Sequence, residues 1–425
     1  MTDTIFALSS GSPPAAIAIV RVSGPGAGNA LRSLTGTIPE PRRMGVARLI
    51  DGEGEEIDRA LVAWFPGPGT ATGEDLAEFH LHGGRAVIAA LENALGELPG
   101  LREAEPGEFT RRAFANGRID LSEAEGLADL LAAETELQRR SAMAMAGGTF
   151  SRLVEQWRER LLMASASLEA VLDFADEDDV ALLPPAFPQE IEALRGEIGD
   201  WLARPRAEVL REGFRVVIAG PPNLGKSTLF NELVESDAAI TTPIAGTTRD
   251  VLTRPVAIDG VPFLFADTAG LHDAVDDEIE AIGIERAMEA LDRADLVLWL
   301  GPEGMGPEGA WEIASQIDRN DSQPKRTARH RISAMTGAGM DNLRQDLVVA
   351  ARREMPAPGD AALNERQHRL LTRATRALAD ARHEDEPLLA AEGLRQARLA
   401  FDSLLGRTTT ENMLDTLFSR FCIGK

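Results

Sequence analysis

Cysteine is nearly absent from the chain: Cys422 is the only one in 425 residues, so no internal disulfide bond can form. Proteins of oxidising compartments commonly carry disulfides, and this composition therefore favours a reducing compartment. Long apolar runs are also missing, since none approaches the roughly 18 residues of a membrane-spanning helix. The N-terminus, MTDTIFALSSGSPP, lacks the basic start of a secretory signal. We therefore expect a soluble, cytoplasmic protein with no membrane partner.

Basic residues are scarce relative to acidic ones. The chain has 44 Lys and Arg against 68 Asp and Glu, which gives a formal net charge of −24. Such a surface repels a nucleic-acid backbone, so a nucleic-acid partner would need a local basic patch or a second protein. Short basic clusters at 111–112, 139–140 and 325–331 (KRTARHR) are candidates for a tRNA contact. In an acidic chain, however, short clusters are more often solvated surface.

The most informative stretch is Arg215–Asn231. Its apolar start, Val216–Ala219, predicts a buried strand, and the following GPPNLGKS at 220–227 fits G-x-x-x-x-G-K-[ST] and leads into an amphipathic helix. This arrangement is typical of a phosphate-binding loop, in which backbone N–H groups surround the phosphate oxygens. Lys226 would reach the β- and γ-phosphates, and the Ser227 hydroxyl would bind Mg²⁺. An unrelated glycine-rich turn explains neither the Lys-Ser pair nor its place at a helix start.

Two further stretches follow in the order that a switch GTPase requires. The GTTRD sequence at 246–250 supplies a hydroxyl for Mg²⁺, and Asp267–Gly270 (DTAG) matches the D-x-x-G switch. In that switch Asp267 holds the water shell of the metal, and the Gly270 N–H senses the γ-phosphate. Each stretch is weak evidence alone, but their order behind the phosphate loop predicts a GTPase.

The group that assists hydrolysis is not the usual one. Leu271 follows Gly270, where Ras-like proteins have a glutamine that orients the attacking water. A cation near the β- and γ-phosphates would stabilise the developing charge, and Asn223 offers an amide oxygen that can bind a monovalent ion. The segment 238–248 (AAITTPIAGTT) would close over the same ion. From the chemistry alone, a role for Asn223 as a turn cap is an equal alternative.

The base-recognition loop departs from the usual guanine pattern. Strands are predicted at Leu296–Leu300 and Glu312–Ser315, and the second leads into SQID at 315–318, where guanine-binding proteins usually carry Asn-Lys-x-Asp. Asp318 can accept from the guanine N1–H and 2-amino groups, but the Ser and Gln leave one polar contact and the apolar Lys stem unaccounted for. Only 301–311 separate the strands, so the intervening helix is predicted to be lost or reduced. Ile332–Ala334 fits the loop whose N–H groups meet guanine O6.

The chain is long enough for several domains, because single cores stop growing near about 250–300 residues. We predict a multidomain fold with an N-terminal α+β domain at 1–118, helical segments at 119–212 and 354–425, and an α/β P-loop G domain at 213–353. The G domain is of a shortened Ras-like type. Because helical segments flank it, we expect them to form one α-helical bundle into which the G domain is inserted.

Motifs along the whole chain resemble the MnmE, or TrmE, family of tRNA modification GTPases. Besides GTTRDV and DTAGL, they are DTI at 3–5, IVRVSG at 19–24, FPGP at 65–68, TGED at 72–75, HGG at 82–84, PGEFT at 106–110 and FCIGK at 421–425. The resemblance implies the three-part fold described above and a dimer formed by the N-terminal domains. It also implies GTP hydrolysis activated by K⁺ and a partnership with an MnmG-type FAD protein. Together such proteins install an aminomethyl-type group at C5 of the wobble uridine (U34) of certain tRNAs.

The resemblance assigns site residues by motif matching. The catalytic set is Lys226, Asp267 and Glu280, of which Glu280 orders the water although the preceding loop is one residue longer than usual. Mg²⁺ is assigned to Ser227 and Thr248, and K⁺ to Asn223, Thr242, Ile244 and Thr247. The nucleotide contacts are Asn223, Leu224, Gly225, Lys226, Ser227, Thr228, Thr242, Pro243, Ile244, Ala245, Gly246, Thr247, Thr248, Asp267, Thr268, Ala269, Gly270, Asp318, Ser333 and Ala334.

A tetrahydrofolate one-carbon carrier (5-formyl or 5,10-methylene) is implied as a further cofactor. Its contacts carry over to Arg21, Glu78, Arg118 and Lys425, with Arg118 standing where the family usually has lysine. A folate has a carboxylate and a pterin donor–acceptor edge, so arginines and one carboxylate are suitable partners. Cys422 is a candidate reactive thiol, although most lone cysteines are packed as small apolar groups.

Two other classes share some of these features. A ribosome-assembly GTPase of the RNA-binding, Era-like class would have the same G-domain motifs, but it would need a basic or aromatic RNA-binding appendage, which neither flank offers. A P-loop ATPase or kinase would share the phosphate loop, but the GTTRD stretch and Asp318 argue against it.

Overall fold

The computed structural model describes residues 3–173, 186–235, 253–267, 288–319, 325–382, 387–408, 410–419 and 421–424. The chain divides into two compact units, one of Met1–Ala128 with Asp402–Lys425 and the other of Asp129–Phe401. Among the helices that are described, none is both long and apolar enough to cross a membrane. The domain boundaries proposed from the sequence stay predictions.

The first unit is built on a six-stranded sheet with the order β3-β4-β5-β2-β1-β6. Its strands are β1 (Thr4–Leu8), β2 (Ile17–Ser23), β3 (Met44–Ile50), β4 (Glu56–Phe65), β5 (Leu76–His82) and β6 (Leu101–Glu103). Neighbouring strands are antiparallel except β1 and β6, which are parallel.

Alternation along the strands gives this sheet two different faces. On β2, Ala18, Val20 and Val22 are buried, and they belong to the core that includes residues of helices α1 (Ala27–Thr35) and α2 (Arg85–Gly96). Ile17, Ile19 and Arg21, which alternate with them, are more exposed, because their side chains point to the opposite face of the sheet. This second face is where polar side chains can meet a ligand.

The first unit is completed by helices that follow the sheet and by the end of the chain. Helix α3 spans Glu108–Ala115, α4 spans Leu121–Ala132, and the last helix spans Glu411–Phe418. Leu121 and Ala124 of α4 pack with Leu414, Phe418 and Phe421 in a small apolar cluster. The C-terminal segment is therefore part of the N-terminal unit.

The second unit begins with helices α5 (Glu136–Ala146), α6 (Thr149–Asp173), α7 (Phe187–Leu202) and α8 (Ala207–Glu212). It ends with α10 (Met340–Glu354), α11 (Glu365–Ala381) and α12 (Pro387–Leu404), so the Glu411–Phe418 helix is α13. Helices from both sides of the insert pack together: Trp157 of α6 lies 6.1 Å from Phe401 of α12, measured between ring centroids. The predicted fold class, a helical domain with an inserted G domain, is confirmed, but the prediction that all of 354–425 joins the bundle is wrong for α13, which packs in the first unit.

Between these helices lies a second six-stranded sheet, with the order β12-β11-β10-β7-β9-β8. Its strands are β7 (Phe214–Ala219), β8 (Thr253–Ile258), β9 (Val261–Asp267), β10 (Leu296–Trp299), β11 (Trp311–Ala314) and β12 (His330–Arg331), and helix α9 spans Lys226–Glu235. The strands are parallel except for the antiparallel β8–β9 pair. In such a sheet the loops at the carboxyl ends of the strands carry the ligand site.

The crossover from β10 to β11 contains no helix within 300–310, all of which the structure describes. A buried ion pair supports the shortened connection instead. The Lys325 Nζ donates to Glu312 Oε2 at 2.7 Å and to the Trp299 carbonyl O at 2.9 Å, and the other carboxylate oxygen of Glu312 accepts from the Gly304 N–H at 2.9 Å. The predicted loss of the helix is confirmed.

Candidate functional site

The phosphate loop occupies 220–225, between the end of β7 at Ala219 and the start of α9 at Lys226. At Gly220 φ is +145°, and a Cβ there would stand 2.9 Å from the Gly301 N. No side chain fits that position, which explains the first glycine of the motif. Asn223 adopts φ +65° and is exposed; asparagine tolerates this left-handed backbone better than most residues. The loop thus turns tightly at an exposed Asn223.

Lys226 is held inside this loop. Its side chain is buried, and the Nζ donates to the Pro221 carbonyl O at 2.9 Å across the loop. Burial lowers the pKa of Lys226, and the negative charge of Asp267, at the end of β9, acts in the opposite sense. A triphosphate would add negative charge next to the ammonium and favour its protonated form. The structure therefore brings together Lys226, Asp267 of the predicted D-x-x-G switch, and the phosphate-loop backbone.

The base-recognition loop is attached to the phosphate loop by the two residues that depart from the guanine pattern. The Ser315 Oγ donates to the Leu224 carbonyl O at 2.8 Å, and the Gln316 Nε2 lies 3.4 Å from the Asn223 carbonyl O as a donor. A Cβ at Gly225 would be 3.0 Å from the same Gln316 Nε2. The sequence could not show that Ser and Gln supply these contacts, because both bonds join segments more than 90 residues apart.

Asp318 stands at the rim of this loop with an exposed side chain. A hydrogen bond from the Ser333 side chain lowers the pKa of Asp318, so the carboxylate stays ionised and can only accept hydrogen bonds. The backbone also joins the 315–318 loop to the 332–334 segment, since the Ile317 N–H donates to the Ile332 carbonyl O at 3.3 Å. Asp318 and Ser333 are thus neighbours, and Ala334 follows Ser333 in the chain.

The remaining predicted residues of this site lie outside the described part of the chain. They are Thr242, Pro243, Ile244, Ala245, Gly246, Thr247, Thr248, Thr268, Ala269, Gly270 and Glu280. Ser227 and Thr228, in contrast, are described, and both are exposed in the first turn of α9.

The basic clusters considered for tRNA contact are largely engaged within the chain. Arg111 pairs with Glu411 and Asp415, and both Arg139 and Arg140 pair with Glu136. In 325–331, Lys325 forms the buried ion pair described above, and the Arg329 guanidinium lies 3.8 Å from the ring centroid of Trp311. Several of these cations therefore have partners within the chain, and the tRNA contact stays a prediction.

A second candidate site lies on the open sheet face of the N-terminal unit. Arg21 of β2 and Glu78 of β5 are paired in register, and Arg21 donates to Glu78 Oε1 from Nη2 at 2.9 Å and from Nε at 3.2 Å. The other carboxylate oxygen lies 3.2 Å from the His80 Nε2. Both charged side chains are about one-fifth exposed, at 24% and 17%. His80 was missed by the sequence analysis, although its spacing of two residues from Glu78 places it on the same face.

The chain end packs against the end of β1, the strand that neighbours the strand of Arg21. A Cβ at Gly424 would stand 2.1 Å from the Leu8 carbonyl O, and Leu8 is adjacent to Ala7, the register partner of Arg21. Lys425 itself lies outside the described residues. Cys422 is exposed, and its carbonyl O accepts from the Gly107 N–H at 3.4 Å.

Arg118 is exposed, and its aliphatic stem runs over the turn that precedes β5. A Cβ at Gly73, where φ is +78°, would be 3.2 Å from the Arg118 Cγ. The structure therefore joins Arg21 to Glu78 directly, and it places Arg118 on the turn that leads into the strand of Glu78.

Comparisons with known proteins cover the whole chain. A family model described as "GTP-binding protein TrmE N-terminus" matches residues 4–118, and one described as "MnmE helical domain" matches residues 121–422. The chain is similar to the tRNA modification GTPase MnmE of Novosphingobium aromaticivorans, with 62% identity over 437 residues and 100% of each chain covered. It is also similar to the tRNA modification GTPase MnmE of Erythrobacter litoralis, with 61% identity over 423 residues and again 100% of each chain covered.

A solved structure, the G domain of the T. maritima FeoB iron transporter, matches with 21% identity. The match covers 32% of this chain and 98% of that chain, with a TM-score of 0.24. At this TM-score the likeness carries no weight beside the family matches.

Proposed function

The chain belongs to the MnmE (TrmE) family of tRNA modification GTPases, and from that premise we propose a potassium-activated enzyme that works with an MnmG-type FAD protein. That the chain is a GTP hydrolase of tRNA modification follows from its family. The proposed product is an aminomethyl-type group at C5 of the wobble uridine of certain tRNAs. The proposed compartment is the cytoplasm.

One observation carries the proposal: a single chain holds a phosphate loop in one unit and a cation–carboxylate pair on an open sheet face in the other. A GTPase that only switches needs the first site. An enzyme that also delivers a carbon unit to tRNA needs a second site, with groups that suit a polar heterocycle and a carboxylate.

In the nucleotide site, the proposed roles follow from position. Lys226 binds the β- and γ-phosphate oxygens, and Ser227 with Thr248 holds Mg²⁺, whose water shell Asp267 supports. Asn223, an exposed residue of the loop, is the described member of the proposed K⁺ set. A bound alkali cation supplies positive charge where charge develops between the β- and γ-phosphates. Glu280 is proposed to order the attacking water.

In the N-terminal unit, Arg21, Glu78, Arg118 and Lys425 are the proposed contacts of a tetrahydrofolate one-carbon carrier. The open sheet face also supports the proposed homodimer. Apolar side chains are exposed on strands β2, β3 and β4, at Ile17 (62%), Met44 (52%), Val46 (79%) and Leu61 (43%). A monomer gains nothing from such exposure, whereas a second copy of this unit would cover it.

The proposed modification is tested by deleting the gene and measuring the wobble nucleosides of bulk tRNA by mass spectrometry. We expect the C5-aminomethyl-type nucleosides to disappear and to return when the wild-type gene is restored. An Arg21→Ala gene should fail to restore them, because the carrier loses its paired cation. A matched Arg32→Ala gene should succeed, because Arg32 is an exposed arginine of α1, which packs on the face of the sheet opposite to Arg21. Unchanged wobble nucleosides after deletion would contradict the proposal.

A further inference from the structure

The guanidinium of Arg112 lies in the interior of the N-terminal unit, and its side chain is fully buried. Three acidic residues from three separate segments bind it. Its Nη2 donates to Asp3 Oδ1 and to Glu108 Oε1, both at 3.0 Å, and its Nη1 donates to Glu74 Oε2 at 3.1 Å. The Asp3 carbonyl O accepts a further bond from Nη1 at 2.9 Å. Arg112 thus joins the first strand, the turn before β5 and its own helix.

Glu74 connects this cluster to the sheet face of the carrier site. Its Oε2 accepts from the Ser23 Oγ at 2.9 Å, and the same Oγ lies 2.7 Å from the Thr72 Oγ1. Ser23 is two residues beyond Arg21 on β2, so their side chains leave the strand on the same side. Arg112 is therefore linked through Glu74 and Ser23 to the strand that carries Arg21.

The same turn supports Arg118. The Asn116 Nδ2 donates to the Thr72 carbonyl O at 2.7 Å, and Gly73 leaves room for the Arg118 stem. The Arg118 stem therefore lies against the turn that Glu74 attaches to the sheet. A movement of Glu74 would change the separation between Arg118 and the ion pair of the carrier site.

Stability alone gives little reason for a guanidinium at this place. Replacing a buried ion network by apolar side chains is often neutral or stabilising, whereas breaking it is costly. Burial raises the pKa of Asp3 and Glu108, but a hydrogen bond from Arg102 to each lowers it. The charge of Arg112 also lowers the pKa of Asp3, and hydrogen bonds from the Glu105 N–H and Arg112 also lower that of Glu108. Together these interactions outweigh burial, so both pKa values stay below their ordinary values. The carboxylates stay ionised near neutral pH, and the cluster keeps one fixed geometry.

We propose that Arg112 is a positioning residue of the one-carbon carrier site. Through Glu74 it fixes the turn at 70–75, and this turn fixes the distance between Arg118 and the Arg21–Glu78 ion pair. This inference rests on the proposed function, because the carrier is the ligand assigned to those side chains. A ligand held at both ends requires a fixed separation between its two recognition groups.

The test uses the full-length protein with Arg112→Lys and a matched Arg102→Lys control. Among the described residues, Arg102 forms its ion pairs with the same Asp3 and Glu108. Both variants therefore weaken the cluster, but only Arg112→Lys weakens the bond between residue 112 and Glu74. The affinity for 5-formyltetrahydrofolate is measured by titration calorimetry. Thermal unfolding and GTP turnover are measured on the same samples.

We expect Arg112→Lys to weaken binding of 5-formyltetrahydrofolate by about tenfold or more, because a misplaced contact loses most of its value. Arg102→Lys should change the affinity by less than about threefold and cost less thermal stability, because Arg102 is partly exposed whereas Arg112 is fully buried. GTP turnover should be unchanged in both variants. Hydrogen exchange of the 70–75 peptide should be faster in Arg112→Lys than in Arg102→Lys.

A second variant, Glu74→Gln, keeps an acceptor for Ser23 and removes the charge that attracts Arg112. It should weaken carrier binding in the same sense as Arg112→Lys. The positioning role would be overturned by wild-type affinity for 5-formyltetrahydrofolate in both Arg112→Lys and Glu74→Gln. Equal losses of that affinity in Arg112→Lys and Arg102→Lys would overturn it too. Neither result would contradict the carrier site itself. Failure of the wild-type protein to bind 5-formyltetrahydrofolate would overturn the carrier site itself, and the positioning role with it.

Discussion

Replacing Lys226 by alanine should slow GTP hydrolysis by about a hundredfold to a thousandfold, the usual loss when one preorganised charge is removed from a phosphate or oxyanion site. The Lys226 Nζ is already fixed across the loop by its bond to the Pro221 carbonyl O, so it needs no reorganisation when the nucleotide binds. Alanine keeps the helix start but leaves the phosphate charge uncompensated. Single-turnover hydrolysis, with GTP affinity measured separately, gives both effects.

A matched control separates loss of charge from loss of fold. Lys325 is a second buried lysine, in the segment between β11 and β12, and its Nζ binds Glu312 and the Trp299 carbonyl O. Lys325→Ala should therefore lower thermal stability as much as Lys226→Ala or more, while the folded fraction keeps most of its turnover. Equal turnover in Lys226→Ala and wild type would show that the phosphate loop is not the site of hydrolysis.

Asp318→Asn should exchange the base preference of the enzyme, with the ratio of GTP to xanthosine triphosphate affinity changing on the order of a hundredfold. An ionised Asp318 only accepts hydrogen bonds, which suits the N1–H and 2-amino donors of guanine. An asparagine also donates, which suits the 2-oxo group of xanthine. Competition titrations with a fluorescent nucleotide give the two affinities.

Ser315→Ala is the control for this exchange. In the wild type the Ser315 Oγ attaches the loop to the Leu224 carbonyl O, and this hydroxyl has no proposed contact with the base. The variant should weaken binding of both nucleotides by a similar factor and leave their ratio unchanged. If Asp318→Asn also left the ratio unchanged, the base would lie elsewhere than the 315–318 loop.

Local sequence patterns predicted the parts of the fold that depend on neighbouring residues. The apolar run, the glycines and the Lys-Ser pair of 216–227 lie within one strand–loop–helix unit, so the phosphate loop could be read directly. The loss of the crossover helix could be predicted from the small number of residues between the two strands, because a short connection has no room for a helix.

Contacts between distant segments could not be read in this way. The bonds of Ser315 and Gln316 to the phosphate loop depend on side-chain orientation in a folded sheet, and the partners of Arg112 lie up to 109 residues away. The partners of the basic clusters were hidden for the same reason. The charge of the clusters was visible in the sequence, but the carboxylates and the indole ring that occupy them were not.

The most direct test of cation-assisted hydrolysis is GTP turnover in KCl and in NaCl at equal ionic strength, for the wild type and for Asn223→Ala. We expect the wild-type protein to turn over GTP severalfold faster in KCl, because Asn223, an exposed residue of the phosphate loop, is the proposed ligand of a K⁺ ion at the phosphates. Asn223→Ala should remove that advantage and change GTP affinity little. Equal wild-type turnover in the two salts would contradict the assignment of an alkali cation to the site.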